Sequence, residues 1–333
     1  RHRPAADLRA PAMLAAFFRS NQPAVLLAAP VVTALLFAPA FWQAPTVSQP
    51  VMPLAALVGS WLTAPWSRTL AGLVLVALVA IQLAALLNAL ELLDRRNHLA
   101  VVLLPVILAG LGGLGCFDPA LLGMPFVLMA MRRGWAITNT GTALSPLFDA
   151  GLLLGLAALC YLPYAFLLAV LWASASVIRP FAWREYALPV LAMVLVFYFA
   201  WGVLRLAGEL PWRPLLTVMP DDPHPFVAVG GIRLAFIALL ALLLLLGFAA
   251  FFRSYAQSVM RGKNLRSALM ALALALAVVM ALLALLKGGF PAVLPAVPAA
   301  VLVSYLLLNP RRAWLGEAAA WSLAVLALWI RWG

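Results

Sequence analysis

The chain has 333 residues, of which 66% are hydrophobic and only 10% charged, and its mean hydropathy is +1.08. That balance lies far outside the range of water-soluble domains, so it excludes a soluble enzyme or globular binding module and makes the bilayer the solvent. The net charge of +12 is divided among short arginine clusters between apolar stretches instead of forming one patch with stacking aromatics, so it reports membrane insertion and argues against a nucleic-acid partner.

Residues 1–12 read as an N-terminal extension: they hold no apolar core long enough for a cleavable signal, and Met13 opens a more natural start. The first apolar stretch is therefore expected to direct insertion. A crossing needs about 20 mostly apolar residues, fewer where neighbours shield a helix. In chain order, crossings are expected at 24–42, 69–92, 99–115, 119–131, 147–162, 164–178, 186–206, 232–252, 267–286, 291–308 and 314–330. The expected fold is thus an all-α polytopic transmembrane helical bundle of about eleven spans, one membrane domain over residues 13–333. Residues 47–66 are too broken by Pro50 and Pro53 to count as a crossing. They are expected in the interface, with Trp61 and Trp66 at headgroup level, or as a re-entrant hairpin.

Alternation of these spans places sixteen of the 22 basic residues on one side: the N-terminal arginines, Arg95 and Arg96, Arg132 and Arg133, Arg179 and Arg184, the group from Arg253 to Arg266, and Arg311 with Arg312. Only Arg68, Arg205, Arg213, Arg233, Lys287 and Arg331 fall on the other. The positive-inside bias then makes the N-terminus cytoplasmic and the expected location a bacterial inner membrane, with membrane lipids as partners.

Polarity is unevenly spread. Residues 234–333 read as apolar scaffold, since 236–252 and 268–286 carry no charged or amide side chain. Residues 68–233 place Gln82, Asn88, Glu91, Asp118, Asp149, Arg205 and Arg233 within or beside spans, where ionisable groups are expensive and face protein or a wet cavity, so any site is expected there. Prolines 30, 105, 125, 189, 295 and 298 interrupt apolar segments, as in cavity-lining helices and in membrane helices generally. Gly110, Gly112, Gly113 and Gly115, and Gly151 with Gly155, offer small faces for close helix contact.

Asn88 and Glu91 lie one turn apart at an inner helix end followed by Asp94, Arg95 and Arg96. They read either as a charged helix end with Glu91 paired to a basic neighbour or as an inner gate. Asp149, with Ser145 before it, reads as a helix cap or as a holder of Arg132 and Arg133. The outer loop 207–230 carries Glu209, Trp212, Arg213, Asp221, Asp222 and His224 between the flanking Arg205 and Arg233. Arg205, Arg213 and Arg233 could clamp a phosphate or pyrophosphate by forked hydrogen bonds, with His224 as the catalytic base. The alternative is a solvated loop stiffened by prolines, with its arginines paired to acids or lipid headgroups. Cys116 and Cys160 fall near the outer ends of their spans, where an oxidising exterior could join them, but they read rather as two buried thiols, since cysteines separated by several helices rarely meet disulfide geometry. His2, His98 and His224 are the only histidines and fall on opposite sides of the membrane, so no metal centre and no cofactor are expected.

The segments 13–21, Asn88 to Glu91, Ser145-Pro-Leu-Phe-Asp-Ala-Gly151 running into Gly155 to Tyr161, and Arg179-Pro-Phe-Ala-Trp-Arg-Glu185 resemble an uncharacterised family of multi-pass inner-membrane proteins of Bacteroidetes. Its members are often labelled beta-carotene monooxygenase, a label the shortage of histidines does not support. Residues 148–183 are more loosely similar to membrane glycosyltransferases and to O-antigen polymerase or ligase proteins, which use polyprenyl-linked sugars. Many of the former need an acidic residue in the first outer loop, and residues 39–67 hold none. The polymerase and ligase type relies on outer arginines and a base, which Arg205, Arg213, Arg233 and His224 would supply. Three functions follow: handling or transfer of a polyprenyl-linked envelope glycan at the outer face, a transporter or lipid-handling protein, and a noncatalytic membrane subunit of an envelope assembly.

Overall fold

A computed structural model describes residues 24–42, 52–93, 97–115, 117–137, 143–178, 182–208, 230–287, 289–308 and 313–333. These are helical throughout, without a strand among them. The α-helices are α1 (Ala24–Phe37), α2 (Pro53–Trp61), α3 (Pro65–Ala89), α4 (Leu99–Leu111), α5 (Pro119–Trp135), α6 (Leu144–Cys160), α7 (Leu168–Ile178), α8 (Trp183–Leu206), α9 (Gly231–Gln257), α10 (Met260–Lys287), α11 (Val293–Leu308) and α12 (Ala313–Trp332). Short 3-10 turns, Ala38–Phe41 and Leu162–Leu167, extend α1 and lead into α7.

Four helices, α3, α8, α9 and α10, are long and apolar enough to cross a membrane. At 24 to 28 residues each, they reach about 36–42 Å at 1.5 Å per residue. The shorter apolar helices α4, α6 and α11 are mostly core: α4 buries nearly every side chain from Leu99 to Gly110, and α11 most of those from Val293 to Leu307. The long helices α8, α9 and α10 instead expose much of their apolar surface. Among the apolar helices, the short α4 and α11 are the ones wrapped by protein, and the long α8, α9 and α10 the ones left open. With nine residues, α2 spans only about 14 Å, too short to cross, as its prolines imply, and Trp61 and Trp66 beside it are exposed.

In one part of the bundle α4 packs against α1, α3, α11 and α12, and α9 lies against α11 and α12. In the other, α6 is held between α5 and α8, and α7 rests on α10. Small residues set the closest approaches. A Cβ on Gly151 would stand 2.5 Å from the Pro189 carbonyl oxygen, and one on Gly155 2.9 Å from Val196 Cβ, so α6 and α8 meet backbone to backbone through the glycine pair read from the sequence. Pro30, Pro105, Pro125, Pro189 and Pro298 do sit inside helices. Pro295, by contrast, falls in the first turn of α11, where no intrahelical donor is lost.

Side-chain contacts sort the helix termini into two ends. At the first end, Tyr305 Oη and Arg266 Nε both donate to the Leu92 carbonyl, Arg266 Nη1 donates to the Ser254 carbonyl at 2.7 Å, and Trp135 Nε1 donates to Ser174 Oγ at 2.9 Å. At the second end, Arg331 Nε donates to the Leu36 carbonyl at 3.3 Å, Tyr164 Oη donates to the Ala120 carbonyl at 2.7 Å, and Ala292 lies against Gly113. The C-termini of α3, α9 and α11 thus share one end with the N-terminal part of α10. Those of α1, α4 and α12 share the other with the N-terminus of α5.

Candidate functional site

The second end gathers arginines onto helix C-termini. There the last carbonyls lack intrahelical donors and the macrodipole is negative, so a cation is favoured. Arg68 Nε donates to the Leu62 carbonyl just past α2, at 2.7 Å. Arg331, in the last turn of α12, reaches the end of α1 through Leu36. Arg233, in the first turn of α9, lies against Gly112, which ends α4 in the left-handed conformation at φ +83°. A Cβ at Gly112 would stand 3.0 Å from Arg233 Nη2, and one at Gly110 would collide with the Phe236 ring. The glycine-rich end of α4 is therefore the seat into which the first turns of α9 fit.

Arg233, in the first turn of α9, and Arg331, in the last turn of α12, come to the same end of the bundle because α9 packs along α12. Among the described residues no carboxylate is bonded to either, and Arg331 Nη2 is buried without a hydrogen-bond partner. A buried unpaired donor on a charged group is costly. The seam of α1 and α12 holds an open apolar groove of about 510 Å³ lined by Leu35, Val325, Leu328, Trp329, Trp332 and Gly333, the last two following Arg331 in the chain.

Of the arginines expected to converge, Arg233 is at this site. Arg205, in the last turn of α8, is exposed, and α8 packs on α6 and α7 while α9 packs on α11 and α12, with no comparable face joining α8 to α9. Being consecutive in the chain does not make these helices neighbours, because α6 occupies the packing face of α8. Arg213 and His224 lie outside the described residues. Arg331 was legible only as a flanking charge, although its place between Trp329 and Trp332 marks a helix end at an interface.

Asn88 and Glu91 serve the connection from α3 to α4. Asn88 Nδ2 donates to the Asn97 carbonyl at 2.9 Å and Asn88 Oδ1 accepts from the Asn97 N–H at 3.2 Å, a two-way clamp that closes the loop. Asn97 Oδ1 in turn accepts from the Leu99 N–H at 3.2 Å and starts α4. Glu91 is exposed at φ +51°, the one non-glycine residue with positive φ among the described residues. The Leu92 N–H donates to the Leu87 carbonyl at 3.0 Å and the Glu91 N–H to the Asn88 carbonyl at 3.4 Å, the Schellman pattern of a helix end with glutamate in the usual glycine place.

Asp149 is not the cap that its local sequence implies. It lies in the second turn of α6, half-buried, and the N-cap is Ala143, which makes no side-chain bond. The helix begins earlier than the proline at 146 suggests, since proline is well tolerated in a first turn. Neither hydrogen bond nor ion pair ties Asp149 to a described residue. The carboxylate that does cap is Asp118, whose Oδ1 accepts from the Ala120 N–H at 2.8 Å with Pro119 opening α5.

Arg266 departs most from its reading as an inner-loop charge: it is 5% exposed and lies 5.9 Å from the Tyr305 ring centre, tying α3, α9, α10 and α11 together. His98, also buried, has an unpartnered Nδ1, and burial pushes its pKa below 6.5. Within α3, Gln82 Oε1 is likewise buried without a partner. Cys160 is buried and free. No family model, curated protein or solved structure matches the chain.

Proposed function

We propose that this chain is a multi-pass protein of a bacterial inner membrane that handles a polyprenyl-linked envelope glycan at the outward end of its bundle. The reading takes the first end as cytoplasmic, with about eleven crossings and an inner N-terminus. The distribution of charge supports it: Arg132, Arg133, Arg184, Arg253, Arg261, Lys263 and Arg266 belong to the first end, while Arg68, Arg205, Arg233 and Arg331 belong to the second. The observation that carries the functional part is Arg331, which has a buried Nη2 without a partner and adjoins Trp332 of an apolar groove in sequence, at the end of the bundle that Arg233 also reaches. A lipid-borne phosphate or pyrophosphate matches that combination, because forked guanidinium bonds suit its oxygens and the groove suits its chain. The resemblance to families that use polyprenyl-linked sugars points the same way, with Arg205, Arg213 and His224 as further candidates for contact and base.

Two crevices among the described residues are lined by hydrocarbon, the groove between α1 and α12 and one between α3, α10 and α11 around Leu86, Leu272 and Val301. Such crevices suit lipid chains. The test is mass-spectrometric profiling of surface glycans and lipid-linked intermediates in a deletion strain of the source bacterium. Accumulation of a polyprenyl-linked intermediate or loss of a glycan is expected, and unchanged profiles would overturn the glycan reading. Thiol labelling of single-cysteine variants tests sidedness: positions 95, 132, 184 and 263 should be protected from an impermeant reagent in intact cells, and 47, 118, 222 and 287 should react. A reactive cysteine at 263 would invert the topology.

A further inference from the structure

We infer that the elbow joining α9 to α10 binds the headgroups of anionic phospholipids, with Arg253, Arg261 and Lys263 as its cations and Val259 and Met260 as its apolar tip. The inference is independent of the glycan reading and of which end of the bundle is cytoplasmic, and it rests only on α9 and α10 crossing a bilayer.

Helix length sets the depth of the elbow. Along α9, Arg233 and Arg253 stand about 30 Å apart, the thickness of a hydrocarbon core, and Ser258 lies about 7 Å further on. The neighbouring helices end at the same boundary. Arg266 bonds the carbonyls of Leu92, just past α3, and of Ser254, and Asn264 Nδ2 donates at 3.4 Å to the carbonyl of Val177 in the last turn of α7. The turn from α9 into α10 therefore stands beyond α3 and α7, in the headgroup layer.

The side chains at that depth identify the partner. Val259 and Met260 are 78% and 76% exposed, Arg253 and Arg261 are exposed, and Lys263 is half-buried. No described carboxylate is bonded to any of the three cations, and the chain has no acidic residue from 223 to 316. Arg253 continues the exposed stripe of Leu242, Leu246 and Ala249 on α9, while Lys263 lies on the stripe of α10 that leads through Met270 to Leu274. Each cation thus stands where a lipid whose chains cover that stripe carries its phosphate. A zwitterionic headgroup brings its own cation and gains little from this cluster, whereas an anionic one gains from all three charges. Free phosphate would leave the apolar tip uncovered, and glycerol with its first methylenes covers it.

The test uses the full chain in detergent, titrated with phosphatidylglycerol, phosphatidylcholine and inorganic phosphate and read by native mass spectrometry of the first lipid bound. Phosphatidylglycerol should bind at least about tenfold more tightly than phosphatidylcholine, and high salt should erase most of that difference. Inorganic phosphate should not displace it. The triple variant Arg253→Gln, Arg261→Gln and Lys263→Gln should bring the two lipids to within about twofold. Arg132→Gln with Arg133→Gln, which removes two exposed cations at the same end of the bundle, should keep the preference. Should the triple variant fail to fold, Arg253→Gln with Arg261→Gln alters only exposed side chains and should reduce the preference by at least about threefold. Equal binding of the two lipids to the wild type, a preference kept by the elbow variants, a preference lost equally in the Arg132 and Arg133 variant, or displacement by inorganic phosphate would each overturn the site. A lipid preference with unchanged glycans in the deletion strain would retain the site and discard only the glycan reading.

Discussion

Replacing Glu91 with glycine should make the protein more stable. Helix α3 ends with Glu91 at φ +51°, fixed there by the bonds from the Leu92 N–H to the Leu87 carbonyl and from the Glu91 N–H to the Asn88 carbonyl. In that region the Cβ of an L-residue crowds its own carbonyl, at a cost of roughly 1–2 kcal/mol that glycine avoids. Glycine also gives the unfolded chain more freedom, which returns about 0.4–1 kcal/mol of the gain. The net expectation for Glu91→Gly is about 0.5–1 kcal/mol of stabilisation, or a rise of about 1–3 °C in the melting temperature. Glu91→Ala is the control, because it removes the carboxylate near the negative helix end but keeps the Cβ. Thermal melts of the full chain in detergent, with an SDS titration alongside, should place glycine above both alanine and wild type. If glycine melts no higher than alanine, the strained-cap reasoning fails.

Arg266→Ala should cost at least about 2 kcal/mol in the same titration, since it removes charge-assisted bonds to Ser254 and Leu92, and Arg266→Lys should fall between; equal stability of all three would show that the buried arginine holds nothing together. Gly151→Ala should destabilise by about 1–3 kcal/mol because its Cβ meets the Pro189 backbone, whereas Gly202→Ala, with nothing within 4 Å, should be neutral or slightly stabilising. A melt showing the two alanine variants alike would refute the close approach of α6 to α8. His98 gives a pH dependence. Its folded pKa is below 6.5, so the unfolded state binds the extra proton, and stability present above pH 6.5 is lost as pH falls towards the folded value. His98→Gln should flatten the fall in melting temperature between about pH 7 and 5, and an unchanged slope would assign it to other groups.

Hydropathy alone located the helices, because a bilayer admits so few solutions to the backbone hydrogen-bond problem that a long apolar stretch bounded by arginine, proline or tryptophan reads as one element. Each of the eleven apolar stretches coincides with a helix, and the short Pro53–Trp61 helix falls where prolines broke the pattern. The glycines also spoke for themselves: Gly151 and Gly155 permit one approach and Gly110 to Gly113 another, since a missing Cβ matters wherever backbones or rings come close. What sequence alone left undecided was which helices become neighbours. Apolar side chains on every face give each helix many acceptable partners, so chain order suggested Arg205 beside Arg233, whereas α9 packs along α11 and α12 and not along α8. Local sequence likewise offered Asp149 as a cap and Arg266 as a loop charge. The start of α6 three residues before Leu147 and the closure of four helix ends around Arg266 reassigned both. The identity of a polar residue is written in the chain, but in a bundle of near-uniform hydrocarbon its partner is decided only when the helices pack, because only then is the carbonyl or charge it must satisfy brought within reach.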